Sequence, residues 1–206
     1  PSLVGSEMCI RDSFLGVRDR VAAITEQAMA GELDFHTALL KRTAILKGLS
    51  EKDLQSIFDQ RIFLTPGAQK LVTTMKANSA CTVLVSGGFT FFSQRVAEAV
   101  GFDYHQANEL QFIDNRLTGE VAEPVLGSAD KLNALKSFSA RHNLETSDAI
   151  AVGDGANDIE MVGAAGLGVA FHAKPILAQS AAARIDHGDL TALLYLQGYR
   201  ADQIKE

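Results

Sequence analysis

The sequence is poor in the residues that mark several classes of protein. It has only two cysteines, Cys9 and Cys81, which are too few for a disulfide framework and lack metal-ligand spacing. No apolar run approaches the roughly 20 residues that a membrane span requires, and the N-terminus resembles no secretory signal. Basic residues are also in deficit, because 19 Lys and Arg stand against 25 Asp and Glu. We therefore expect a cytoplasmic protein with no membrane partner and no nucleic-acid partner, since non-specific nucleic-acid binding needs a basic face.

The first third of the chain is helical in pattern. Its 206 residues, 47% of them hydrophobic, are enough for a core domain and a small accessory one. Three helical segments follow one another: one from Phe14 to Gly31, one from Phe35 to Gly48, and one after an N-cap at Ser50. With no strand between them, these segments predict a helical cap over residues 14–62.

After Pro66 the pattern changes to alternating helices and strands, and we assign residues 63–206 to a core. The expected strands are 81–85, 149–152, 167–171 and 184–186, with a hairpin of 109–113 and 117–121; the expected helices are 67–77, 90–99, one from about 130, 158–165, 175–182 and 189–197. Such an order predicts an α/β fold with a mostly parallel sheet covered by helices on both faces. Ligands of these folds bind beyond the carboxyl ends of the strands, which directs attention to Ser86 and Asp154.

The run Gly153-Asp154-Gly155-Ala156-Asn157-Asp158 follows an apolar strand. Two carboxylates four residues apart on a glycine-rich turn suit a hard cation such as Mg²⁺, which takes oxygen ligands. The alternative is that Asp154 shapes a turn and Asp158 caps the next helix. The complete run at a strand exit favours the metal site.

Three other positions allow both a functional and an ordinary interpretation. Ser86-Gly87-Gly88 could cradle an anion at a helix start, or Ser86 could simply be an N-cap. Lys131 at a helix start is unfavourable for the helix dipole, which hints at a phosphate partner, although surface lysines are common. Arg42 could grip a carboxylate or only increase solubility.

Together these segments resemble the phosphoserine phosphatase family of the haloacid dehalogenase superfamily from about Phe14 to the C-terminus. The resemblance rests on the runs 16–21, 42–48, 64–67, 85–89, 115–119, 152–158, 173–176 and 186–199. It implies a Rossmann-like core with a small helical cap, and the hydrolysis of O-phospho-L-serine to serine and phosphate in serine biosynthesis.

The resemblance also implies a role for each matching residue. Ser86 and the Gly87 backbone would hold the phosphate and Lys131 would neutralise it. Asp154 would bind Mg²⁺ and Asp158 would support the metal shell.

On the substrate side, the resemblance implies that Asn157 contacts phosphoserine. Arg42 would bind the substrate carboxylate, and Phe35 would help to close the pocket.

The family pattern also requires an Asp-x-Asp-x-Thr motif, whose first Asp attacks phosphorus and whose second acts as acid and base. No such motif occurs in the sequence. Residues 1–13 resemble a translated sequencing-adaptor peptide, and we expect that they replace an authentic N-terminus. Asp12 lacks the preceding strand and the partner Asp of a nucleophile. The chain as written is therefore expected to be inactive.

Two other functions stay open at this point. The first is phosphatase or phosphotransferase chemistry on another small phosphomonoester. The second is a non-catalytic protein that binds phosphate and metal through the same residues.

Overall fold

The computed structural model of the chain describes residue 24 and residues 34–205. The expectations for residues 1–13, and for the helix from Phe14 to Gly31 apart from the helical residue 24, lie outside the described residues. The helices are α1 (Phe35–Ala44), α2 (Glu51–Arg61), α3 (Ala68–Ala77), α4 (Thr90–Val100), α5 (Ser128–Arg141), α6 (Ile159–Ala164), α7 (Pro175–Ala178) and α8 (Ala192–Leu196). The strands are β1 (Val83–Phe89), β2 (Tyr104–Asn108), β3 (Leu110–Ile113), β4 (Arg116–Val121), β5 (Ile150–Gly153), β6 (Leu167–Phe171) and β7 (Ala183–Ile185).

Side-chain caps explain where the first two helices begin. Asp34 Oδ1 accepts a hydrogen bond from the Thr37 amide (2.9 Å) at the start of α1. Ser50 and Asp53 form a reciprocal capping box at the start of α2, which satisfies amides that lack partners in a first helical turn. The N-cap expected at Ser50 is confirmed.

The strands form parallel pairs with one antiparallel hairpin. β1 pairs with β2, β5–β6–β7 form a second parallel group, and β3 pairs with β4 as the hairpin. Within residues 34–205 the two parallel groups share no backbone ladder. One apolar cluster nevertheless joins them, because Leu84 of β1 packs in the same core as Val169 and Phe171 of β6.

Apolar side chains cover β5–β6–β7 on both faces because they alternate along the strands. Val169 and Phe171 face the core shared with α3 and α4, whereas Ala151 and Ala170 face Val162 of α6 and Leu177 of α7; the two clusters are separate. The predicted α/β fold with helices on both faces is confirmed.

The helical segment α1–α2 packs on the hairpin and on α4. Leu54 and Ile57 of α2 share a cluster with Phe92 of α4 and Leu117 of β4. The backbone of residues 48–49 also bonds to β4, since Gly48 N–H donates to Leu117 O and Leu117 N–H donates to Leu49 O, both at 2.8 Å. The boundary at residue 62 between a cap and a core stays a prediction.

Several boundaries differ from the expected ones. β1 begins at Val83 rather than Cys81 and runs on to Phe89. α7 ends at Ala178 instead of residue 182. The strand β2 was not predicted, because Tyr-His-Gln-Ala-Asn is too polar to be read as a buried strand. Among the described helices, none has the length and apolar character to cross a membrane.

Candidate active site

The turn that follows β5 is built around Asp158. Its side chain is buried, and Oδ2 accepts hydrogen bonds from the amides of Asp154 (3.1 Å) and Gly155 (3.2 Å). A Cβ at position 153 would lie only 2.3 Å from Asp158 Cβ, so only glycine at 153 allows the carboxylate to reach this position. The glycine-rich sequence thus places a carboxylate beneath the end of the strand.

The second oxygen of Asp158 pairs with Lys131 in the first turn of α5. Lys131 Nζ lies 2.5 Å from Asp158 Oδ1, and the two side chains are 11% and 4% exposed. The surface interpretation of Lys131 is therefore wrong. Lys131 is thus buried beside the exit of β5 and paired with a carboxylate.

Ser86 lies in β1 beyond the regular pairing with β2, which shifts between Val85 and Phe89. The Gly88 amide donates to Ser86 Oγ at 3.0 Å, so the hydroxyl acts as acceptor in this bond and its own hydrogen can be directed to a ligand. Phe89, not Ser86, occupies the N-cap position of α4. The interpretation of Ser86 as a helix cap is therefore wrong.

Phe35 at the start of α1 covers the glycine segment of β1. A Cβ at Gly87 would lie 3.0 Å from Phe35 Cζ, and a Cβ at Gly127 would lie 3.8 Å from Phe35 Cδ1. The ring therefore lies close to two backbone segments, one in β1 and one at the residue that precedes α5. These contacts bring the helical segment, the Ser86 segment and the start of the Lys131 helix together.

Arg42 lies on the same side of α1 as Phe35. The two are seven residues apart, which is about two helical turns and roughly 10 Å along the axis. Arg42 is partly buried, and this burial lowers the pKa of its guanidinium from the ordinary value. The alternative of an exposed, merely solubilising arginine is therefore wrong.

Asp154 and Asn157 complete the turn. Asp154 is partly buried, and its carbonyl accepts a hydrogen bond from the Lys174 amide at 2.9 Å. Asn157 folds back on the turn, because a Cβ at Gly155 would lie 2.9 Å from Asn157 Oδ1. The segment before α7 therefore helps to fix the backbone of Asp154.

The turn after β5 offers Mg²⁺ one carboxylate ligand. Asp154 offers a hard carboxylate ligand, whereas both oxygens of Asp158 already accept hydrogen bonds. No group of three or more His, Cys, Asp or Glu suited to a metal occurs within residues 34–205. Mg²⁺ commonly uses one or two carboxylates together with waters and substrate phosphate, and Asp154 suits that mode with Asp158 as its support.

Two features of the site, Asn108 and the amide of Lys174, are not predicted from the sequence. Asn108 is buried and bonds to the backbone of Gly87 and Leu126. A polar residue at the end of an unpredicted strand gives no signal of its own, and a backbone contact gives none at all.

Comparison with known proteins places the chain in a family. Residues 5–162 match the family of haloacid dehalogenase-like hydrolases, and the chain belongs to that family. The match includes residues 5–13, which are most of the segment 1–13 that was expected to lie outside the family.

Within the family, the chain is similar to phosphoserine phosphatases. Phosphoserine phosphatase of Streptomyces coelicolor is 40% identical over 190 residues, which are 92% of this chain and 46% of that protein. The chain therefore spans about half the length of this curated relative.

Two solved structures share the fold. A substrate-bound phosphoserine phosphatase is 36% identical in sequence to this chain and superposes with a TM-score of 0.86. The alignment covers 95% of this chain and 93% of that protein. A phospho-aspartyl intermediate analogue of phosphoserine phosphatase is 36% identical with a TM-score of 0.85, covering 94% and 93%. The haloacid dehalogenase-like fold expected from the sequence is confirmed.

Proposed function

We propose that this chain provides the phosphate-binding and substrate-binding residues of an Mg²⁺-dependent phosphomonoester hydrolase that acts on O-phospho-L-serine. The observation that carries the proposal is the buried Lys131–Asp158 pair at the end of β5. The similarity to phosphoserine phosphatases supports the choice of substrate.

Phosphate recognition is assigned to β1 and α5. Ser86 Oγ, already oriented by the Gly88 amide, donates its hydrogen to a phosphate oxygen, and the Gly87 amide donates a second hydrogen bond. Lys131 supplies positive charge at low solvent exposure, where electrostatic attraction is stronger than in water. Asp158 keeps the ammonium group in position and shares its charge.

Substrate selection is assigned to the helical segment 14–62, which the proposal treats as a cap over the core 63–206. Arg42 binds the substrate carboxylate through its two parallel N–H donors. Phe35, in contact with Gly87, excludes water from the phosphate. Asn157 contacts the substrate from the turn after β5.

Bound at Asp154, Mg²⁺ would neutralise phosphate charge during displacement. In the family pattern an aspartate attacks phosphorus, the P–O bond to serine breaks, and water then hydrolyses the aspartyl-phosphate to phosphate. The attacking and acid–base aspartates belong to the Asp-x-Asp-x-Thr motif, which the sequence does not contain. Turnover therefore requires that motif, whereas binding depends on the residues described here.

The proposal is tested by supplying the motif. A chain carrying a strand that ends in Asp-x-Asp-x-Thr ahead of Phe14 should release phosphate from O-phospho-L-serine only with Mg²⁺. A matched chain with the first motif Asp replaced by Asn should release none. Absence of phosphate release from the motif-bearing chain would contradict the proposal.

Substrate preference is tested with Arg42→Ala in the same motif-bearing chain. The change should lower kcat/KM about tenfold or more for phosphoserine, because a charge-assisted hydrogen bond contributes about 1.5–3 kcal/mol. The kcat/KM for phosphoethanolamine, which has no carboxylate, should stay unchanged. The control is Lys41→Ala, which removes an exposed cation next to Arg42 in the same helix. Equal losses of kcat/KM on both esters would contradict a contact between Arg42 and the substrate carboxylate, and would favour another phosphomonoester as the substrate.

A further inference from the structure

Asn108, the last residue of β2, makes three hydrogen bonds to two separate backbone segments. Asn108 is buried, with only 1% of its surface exposed. Nδ2 donates to Gly87 O at 3.1 Å and more weakly to Leu126 O at 3.4 Å, and Oδ1 accepts from the Leu126 amide at 2.7 Å. One amide group therefore joins the glycine segment of β1 to the loop that leads into α5.

Few side chains could replace this amide. The position requires one acceptor for an N–H and donors for two carbonyls, which the planar amide of asparagine supplies from two adjacent atoms. An aspartate would accept from Leu126 but would direct a second acceptor at two carbonyl oxygens. A leucine of similar size would leave buried backbone groups unsatisfied.

Both segments held by Asn108 end in the proposed phosphate site. Gly87 follows Ser86 directly. Leu126 precedes Gly127, whose amide donates to Asp130 Oδ2 at 2.7 Å in the first turn of α5, next to Lys131. The Phe35 ring lies next to both Gly87 and Gly127. The distance between the Gly87 amide and the Lys131 helix thus depends on the amide of Asn108.

We propose that Asn108 is a positioning residue, which sets the spacing between the Ser86–Gly87 phosphate donors and Lys131 without touching the phosphate. The proposal rests on the function proposed above, in which both groups bind one phosphate. Fixed donors bind an anion more strongly than donors that must reorganise. Loss of Asn108 should therefore weaken phosphate binding through geometry and not through charge.

The test uses the 206-residue chain and inorganic phosphate with MgCl₂, measured by isothermal titration calorimetry. Asn108→Leu should raise the Kd for phosphate at least tenfold. The control is Thr74→Val in α3, which also removes a buried hydrogen-bonding group, the acceptor of the Lys205 amide at 2.9 Å, and which lies outside the segments that Asn108 joins. It should leave the Kd within twofold.

A structural readout separates positioning from a general loss of stability. In amide hydrogen exchange, Asn108→Leu should reduce protection at Leu126, and the Gly87 amide resonance should no longer shift on addition of phosphate; Thr74→Val should change neither. Asn108→Ser, which keeps a hydroxyl in the cavity, replaces the leucine variant if that variant does not fold.

The outcomes are distinct. Normal phosphate affinity in the folded Asn108 variants would overturn the positioning role and leave the proposed function intact. Equal weakening by Asn108→Leu and Thr74→Val would also overturn it, because the effect would then reflect stability alone. If the unchanged chain binds no phosphate, the proposed function fails and the positioning role fails with it.

Discussion

The replacement of Asp158 by Asn tests the buried ion pair most severely. It leaves Lys131, whose side chain is 11% exposed, without its partner at 2.5 Å, and the new amide presents donors to groups that are themselves donors. Removal of one member of a buried pair costs about 3–5 kcal/mol. For a chain of this size that corresponds to a fall in Tm of about 6–20 °C.

The matched comparison is Asp103→Asn. Asp103 pairs with Lys76 at 2.8 Å, but those side chains are 30% and 40% exposed, so solvent limits the cost to about 1 kcal/mol. Adding Lys131→Met to Asp158→Asn removes the uncompensated cation and should recover part of the loss. Urea unfolding should be followed by circular dichroism, since the chain has no Trp. Equal costs for Asp158→Asn and Asp103→Asn would refute the reasoning.

Two further predictions concern a glycine and a helix cap. Gly153→Ala should destabilise the protein and disrupt the ion pair, because its Cβ would lie 2.3 Å from Asp158 Cβ; Gly163→Ala, with no atom within 4 Å, should be neutral or stabilising by up to about 1 kcal/mol in thermal unfolding. Hydrogen bonds from the Ser50 hydroxyl, and then from its amide, hold the pKa of Asp53 below the ordinary 3.8. A carboxyl with a lowered folded pKa stabilises the protein above the unfolded pKa, and this contribution is lost as the pH falls through the folded value. Ser50→Ala should therefore lower stability at pH 7 by about 1 kcal/mol and should reduce the loss of stability on acidification below pH 3.8, as measured by urea unfolding across pH; an unchanged acid dependence would contradict this.

The sequence was most informative where local pattern and chemistry coincide. An apolar run that ends in glycines located both strand exits, and a lysine in an unfavourable place at a helix start indicated Lys131. The pairing of Lys131 with Asp158 could not be read from the pattern, because 27 residues separate them and only the packing of α5 against the β5 turn brings them together.

Other features were hidden for related physical reasons. The burial of Arg42 depends on what packs over α1, which a helical period does not reveal. Asn108 was missed together with β2, since a polar strand carries no apolar alternation and a bridging amide is recognised only from its partners.

Binding of O-phospho-L-serine is the most direct test of the central claim that Lys131 belongs to a phosphate site. Isothermal titration calorimetry with MgCl₂ should show binding by the unchanged chain and a loss of at least tenfold in affinity for Lys131→Met. Lys136→Met, which removes an exposed lysine from the same helix, should bind like the unchanged chain. Equal affinities for all three would contradict the account.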